Sequence, residues 1–221
     1  MIEKIPKKMV AICMGQSNAA NHGDIKMVAP NAVKVLKGLE LVRASDPLPG
    51  ASGDGGSVWT RLGSKLIARD VCDEVVFIPI AVDGAAVADW SPNGKYFQVF
   101  LDACVRAHHA ELEVTHVFWH QGEKDTALRS GYGYYLGHLT KIVSSIGFEL
   151  PFAQIIVCVA SYRLGELNED VRLAQKKMAE KKGVICGPDT DNIGRQWRYD
   201  DLHFNEEGQQ KFSDLLFECV D

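Results

Sequence analysis

Apolar and polar positions along this chain follow two periods in alternation. The apolar run at residues 9–13 stops at Gly15, the pattern of a buried strand entering a tight turn. Similar runs at 75–82, 115–119, 152–159 and 184–187 predict a second to a fifth strand. Between them the spacing changes to that of a helix. Residues 58–69 follow Ser57 as a candidate cap, and Tyr96, Val99, Phe100, Ala103, Cys104 and Ala107 mark the next helix. Tyr135, Leu136, Leu139, Ile142, Val143 and Ile146 mark another, residues 168–182 a fourth, and Phe212, Leu215, Leu216 and Cys219 a last one capped by Asn205. Strands alternating with helices imply βαβ units, hence a five-stranded parallel sheet with helices on both faces.

Residues 19–57 break this rhythm. They are rich in Gly, Pro, Asn and Asp, with one small hairpin expected from the apolar patches at 33–36 and 39–42. Long irregular segments in compact domains usually carry function. No linker, internal repeat or low-complexity stretch interrupts the chain, so a single domain over residues 1–221 is expected.

Composition narrows the class without naming a chemistry. Hydrophobic residues at 46% and charged residues at 24% are ordinary for a globular chain long enough to bury a sizeable core. The formal charge of −5 comes with no basic cluster, which argues against nucleic acid as a partner. No stretch approaches a membrane span. The charged residues at 3–8 precede an apolar run too short for a signal peptide, so a cytoplasmic location is expected. The six cysteines are far apart without zinc-finger spacing and read mostly as buried small hydrophobes.

Candidate chemistry gathers at the strand ends. Gly15 permits a backbone path that lets Ser17 stand exposed at the carboxyl end of the first strand, where ligands bind in open α/β sheets. Gly84 follows the second strand, and His120-Gln121-Gly122-Glu123 follows the third. Near the C-terminus, Asp200 stands three residues before His203 on one loop, with Asp201 as a rival acid. A serine hydroxyl needs a base, and an imidazole base needs a carboxylate to fix its tautomer. The N–H groups of Ser17 and Gly84 and the side-chain amide of Gln121 would supply the oxyanion donors.

Taken together, Gly15-Gln16-Ser17-Asn18, Trp119-His120-Gln121-Gly122-Glu123-Lys124-Asp125 and Asp200-Asp201-Leu202-His203 resemble the SGNH hydrolases. The branch they are most similar to holds the sialate O-acetylesterase and acetylxylan esterase-like carbohydrate esterases. The resemblance implies a three-layer α/β/α flavodoxin-like fold, a Ser17–His203–Asp200 triad and no metal or other cofactor. It also implies hydrolysis of O-acetyl esters on carbohydrates, of the sialic acid or xylan type, through an acyl-enzyme. Two departures stand out: glutamine where most SGNH enzymes carry asparagine, and Asp83-Gly84-Ala85-Ala86 in place of the usual glycine pair with a hydroxyl residue.

Plainer readings compete at each position. Gln16 and the pair His120 and Glu123 serve either as braces for the Gln121 loop or as substrate contacts. Trp90, Trp197 and Tyr199 are either core or rim aromatics, or platforms on which a sugar stacks. A second enzyme reading makes His120, Glu123, Asp125, Asp200 and His203 ligands of a divalent metal in a phosphoesterase or deacetylase. A third makes the chain an inactive carbohydrate-binding domain, which would have no need of a complete Ser, His and Asp set.

Overall fold

A computed structural model describes residues 7–220; residues 1–6, part of the segment on which the reading of the N-terminus rests, lie outside them. The first apolar run forms β1 (Lys8–Gly15), followed by a hairpin of β2 (Val33–Lys37) and β3 (Glu40–Arg43). Then come α1 (Val58–Ala68), β4 (Glu74–Pro79), the short α2 (Val87–Trp90), α3 (Phe97–His109) and β5 (His116–His120). The chain closes with α4 (Glu123–Ala127), α5 (Tyr132–Glu149), β6 (Gln154–Val159), α6 (Glu169–Met178), β7 (Val184–Asp189) and α7 (Glu206–Val220). Caps act where the sequence suggested them: Ser57 Oγ accepts from the Trp59 N–H, and Asn205 Oδ1 accepts from the Gly208 N–H at 2.9 Å.

The sheet has seven strands in the order β3-β2-β4-β1-β5-β6-β7, not the expected five. The difference lies in the hairpin of the irregular excursion. β2 pairs parallel to β4, in the register Val33↔Val75, and carries β3 antiparallel on its outer edge. These strands are five and four residues long, so their pattern is too short to announce membership in the main sheet.

Alternation along each central strand builds the two faces. Val10, Ile12 and Met14 of β1 pack with α3, α5 and α6, while Met9, Ala11 and Cys13 pack with α1 and α7. β1 lies at the centre, with β4 on one side and β5 on the other. Connections leave it in opposite directions, which opens a crevice at its carboxyl end. Of the cysteines, only Cys13 and Cys158 are fully buried; Cys72, Cys104 and Cys219 are half-buried and Cys186 is exposed. No helix among the described residues is long and apolar enough to cross a membrane.

Candidate active site

Ser17 opens a single 3-10 turn (Ser17–Ala19) directly after β1. The turn follows from Gly15, whose φ of +135° favours glycine and whose position admits no side chain. A Cβ there would sit 1.9 Å from the His120 carbonyl oxygen. That close approach lets the Gln16 N–H bond the same carbonyl at 3.1 Å and swings Ser17 over the sheet edge. Contrary to the expectation of an exposed serine, Ser17 is only 1% exposed, because the turn packs it under the loops around the sheet edge, and its Oγ has no hydrogen-bond partner among the described residues.

The loop carrying His203 is clamped against this turn by Asn18. Its Nδ2 donates to the Leu202 carbonyl at 3.2 Å and its Oδ1 accepts from the Phe204 N–H at 3.3 Å, so both neighbours of His203 are tied to the residue after Ser17. Asn18 Nδ2 also donates to Glu123 Oε1 at 2.8 Å, joining the β5 loop to the same knot. From below, Arg198 donates to three main-chain carbonyls, those of Leu202 (2.6 Å), Thr190 (3.1 Å) and Ile193 (3.3 Å). Its guanidinium lies over the rings of Tyr162 and Phe204. Burial pulls the Arg198 pKa down, against the opposing pull of Glu123 and Asp191.

Within the loop, His203 Nδ1 is 2.6 Å from Asp200 Oδ2, and the His203 N–H donates to Asp200 Oδ1 at 2.6 Å. Partial burial works to raise the Asp200 pKa, but these two bonds and the Leu202 N–H prevail and hold the carboxyl below its ordinary range. His203 Nε2 is buried and unpartnered. Asp201 points elsewhere: Tyr162 donates its hydroxyl to it at 2.5 Å, and Arg195 pairs with it at 3.3 Å. Asn18 thus ties the loop of His203 and Asp200 to the Ser17 turn, while Asp201 bonds Tyr162 and Arg195 instead of His203.

Gln121 corrects the expectation of an oxyanion donor. Its side chain is fully buried, and Nε2 lies 2.7 Å from Asp125 Oδ2, 3.0 Å from the Ala85 carbonyl and 3.2 Å from Gln16 Oε1. Its Oε1 faces the Tyr135 hydroxyl at 2.9 Å, which fixes the amide's orientation. An amide with two N–H groups and three acceptors has none left for a substrate. Gly84 is different: exposed, at φ +65°, with open space around it and no acceptor for its N–H among the described residues. The Val82 N–H bonds the Gly15 carbonyl and holds that loop beside the Ser17 turn.

The flanking residues sort by strand parity. Trp119 faces α3 and α5, so His120, the next residue, faces α7, its ring 4.7 Å from that of Phe212. His120 Nε2 meets Thr190 Oγ1 at 2.8 Å, and burial lowers its pKa. Glu123 bonds Asn18, so no hydrogen bond joins His120 to Glu123, and neither reaches the crevice as a pair. Gln16 is a brace on one side only. Its Oε1 accepts from the N–H groups of Gly122 and Lys124, and its Nε2 has no partner among the described residues. Trp90 lies in the core, edge-on to Trp119, and offers no sugar platform. Trp197 is half-buried, with Lys211 Nζ 4.5 Å over its ring. Of the three candidate platforms Tyr199 is the exposed one, stacked on His203 at 5.9 Å.

Asp125 accepts from the Val87 N–H and from Ser130 as well as from Gln121, so it is committed to structure. Along with the burial of His120, this breaks up the five-residue metal set read from the sequence. Two contributors had no sequence signal at all. His22, from the irregular excursion, stacks on His203 with centroids 5.1 Å apart, and Ser52 Oγ accepts from the Asp83 N–H at 2.7 Å.

A family model described as carbohydrate esterase, sialic acid-specific acetylesterase, matches residues 7–220. Among solved structures, an Arabidopsis thaliana protein superposes with a TM-score of 0.79 at 18% identity, covering 98% of both chains. NanS gives 0.70 at 13% identity over 98% of both chains. A family 3 carbohydrate esterase from Clostridium thermocellum gives 0.62 at 15%, over 97% of this chain and 96% of that one. At such identities the three structures show a shared α/β fold and no more. No curated protein matches the sequence. With a family model spanning nearly every described residue, the chain belongs to the sialic acid-specific acetylesterase family of carbohydrate esterases, and is a carboxylic ester hydrolase.

Proposed function

We propose that the protein removes acetyl groups from sugar hydroxyls with Ser17 as nucleophile, His203 as general base and acid, and Asp200 as its orienter. One observation carries this reading: Ser17 Oγ and His203 Nε2 are both buried and unpartnered, on a turn and a loop that Asn18 ties together, while Nδ1 of the same imidazole is held by Asp200 at 2.6 Å. His203 takes the hydroxyl proton as Oγ attacks the acetyl carbonyl. The tetrahedral oxyanion then collects the N–H groups of Ser17 and Gly84. Gln16 Nε2 serves as the third donor in place of Gln121, since its carbonyl end is pinned by two main-chain N–H groups. Collapse passes the proton to the departing sugar oxygen. Water, deprotonated by His203, releases acetate and restores Ser17.

The sugar is of the xylan or sialic acid type. Around Tyr199 the mouth carries both signs of charge, with Asp24, Asp54 and Asp200 beside Lys26, Arg195 and Arg198. Tyr199 offers a sugar-stacking face. The test is acetate release from acetylated xylose oligomers and O-acetylated sialic acid, with nitrophenyl acetate, butyrate and octanoate in parallel. Acetate should be preferred, Gln16→Ala should lower kcat by about 10²–10³, and a phosphonate should label the Ser17 peptide. Labelling elsewhere, or a rate rising towards octanoate, refutes the assignment.

A further inference from the structure

Beside the triad stand two groups that ester hydrolysis does not use, His22 and Asp83, within reach of one that it does, His203. One ligand atom each from His22, Asp83 and His203 lies within 4.8 Å of the other two. His22 is half-buried, its ring stacked on that of His203 at an angle of 22°. Asp83 is exposed, and Ser52 connects the two, accepting from the Asp83 N–H at 2.7 Å and lying 3.5 Å from His22 Nε2. The contribution of His203 is set by its own bonds. Nδ1 belongs to Asp200, so the free atom is Nε2, buried and without a partner.

We propose that these three residues form an inhibitory site for a divalent transition metal, zinc by its ligand chemistry. Two imidazoles and a carboxylate, completed by water, make the donor set of an open zinc site. Tetrahedral zinc with bonds of about 2.0–2.1 Å needs its ligand atoms about 3.3 Å apart, so the set closes by about 1.5 Å at most. His22 and Asp83 stand on loops and supply that movement. Asp54 and Asp200, both close enough to His22 to act on its charge, deepen the potential that draws a cation in. Asp200 has a second part: a carboxylate on the far nitrogen of a metal-binding imidazole raises its basicity as a ligand. The lone pair that zinc takes on Nε2 is the one that accepts the Ser17 proton. A bound ion therefore removes the base while leaving the nucleophile in place.

The inhibition rests on the triad reading above; the binding does not. Zinc chloride is titrated calorimetrically into the Ser17→Ala protein, and into that protein carrying His22→Ala or Asp83→Asn. One site is expected, with affinity reduced by at least ~10-fold in each double variant. In the unmodified protein, esterase rate should fall with zinc occupancy and return on adding EDTA. The half-inhibiting concentration of His22→Ala should shift in step with its binding constant. Absence of binding, or binding indifferent to His22 and Asp83, overturns the site. Zinc that binds through them without slowing hydrolysis overturns the inhibition. A protein inactive on every ester would refute the triad reading, and calorimetry would still decide whether the site exists.

Discussion

Asn18 is the residue whose loss should most clearly separate holding the site from doing its chemistry. Asn18→Ala removes three hydrogen bonds, to Glu123 Oε1, the Leu202 carbonyl and the Phe204 N–H. Their consequences differ. Leu202 keeps Arg198 as a donor at 2.6 Å and is not orphaned. Among the described residues Glu123 Oε2 already lacks a partner and Oε1 is bonded by Asn18 alone, so the buried carboxyl is left unpaired, as is the Phe204 N–H. Two buried orphans at about 1–3 kcal/mol each give ~2–6 kcal/mol, trimmed to about 2–4 by a water entering the space of the lost amide. For a chain of this size that corresponds to a Tm lower by roughly 5–15 °C. With the two Asn18 bonds that tie the His203 loop to the Ser17 turn gone, kcat on nitrophenyl acetate should drop by about 10–100-fold. Asn18→Asp should fare worse than alanine, because it keeps the acceptor for Phe204 but sets a second carboxyl against Glu123. Calorimetry and initial rates on the three proteins decide the matter. An Asn18→Ala protein within about 0.5 kcal/mol of the parent, or one destabilised with kcat intact, would refute the clamp.

Two further outcomes follow from the same geometry. Asp200→Asn should lower kcat by roughly 10³–10⁴, because an amide favours the wrong histidine tautomer, while Asp201→Asn should stay within about tenfold of the parent. The reverse ranking would move the orienting role to Asp201. Stability should fall as pH drops from about 7 towards 5. Burial lowers the pKa of His120, and of His116 and His22 with it, so the unfolded chain takes up protons near pH ~6.5 that the folded one refuses. Asp200, lowered by its bonds to His203, acts in a separate window, losing its contribution only below about pH 4. Urea midpoints across this range should show a shallower slope in His120→Gln; a midpoint rising on acidification would contradict the sign.

The parts of this site that could be read in the sequence are those written in local pattern. The run at residues 9–13 with Gly15 behind it marks a strand end, and Asp200 and His203 lie close enough in the chain to be read as one unit. Asn205 announces the last helix because a cap acts within one turn. What escaped depends on distant partners. The commitment of Gln121 to Asp125, Ala85 and Gln16 is fixed by three separate segments, and no spacing along the chain encodes it. Trp90 looks like a rim residue beside Gly84 until the sheet shows Trp119 beneath it. The orientation of His120 was in principle legible, since strand parity opposes it to Trp119. Reading it required knowing that α7, from the far end of the chain, covers that face.

The three bonds of Arg198 bear on how such an enzyme changes over generations. Every acceptor it uses is a main-chain carbonyl, a group that all amino acids possess. Replacing Tyr199 or the Leu202 side chain deletes none of those acceptors, and the Asn18 bonds to residues 202 and 204 are likewise made to backbone. The side chains on the exposed face of this loop are thereby separated from the frame that holds the imidazole. Substitutions at the first leave the hydrogen bonds of the second in place, so the loop's surface can change without its backbone being dismantled.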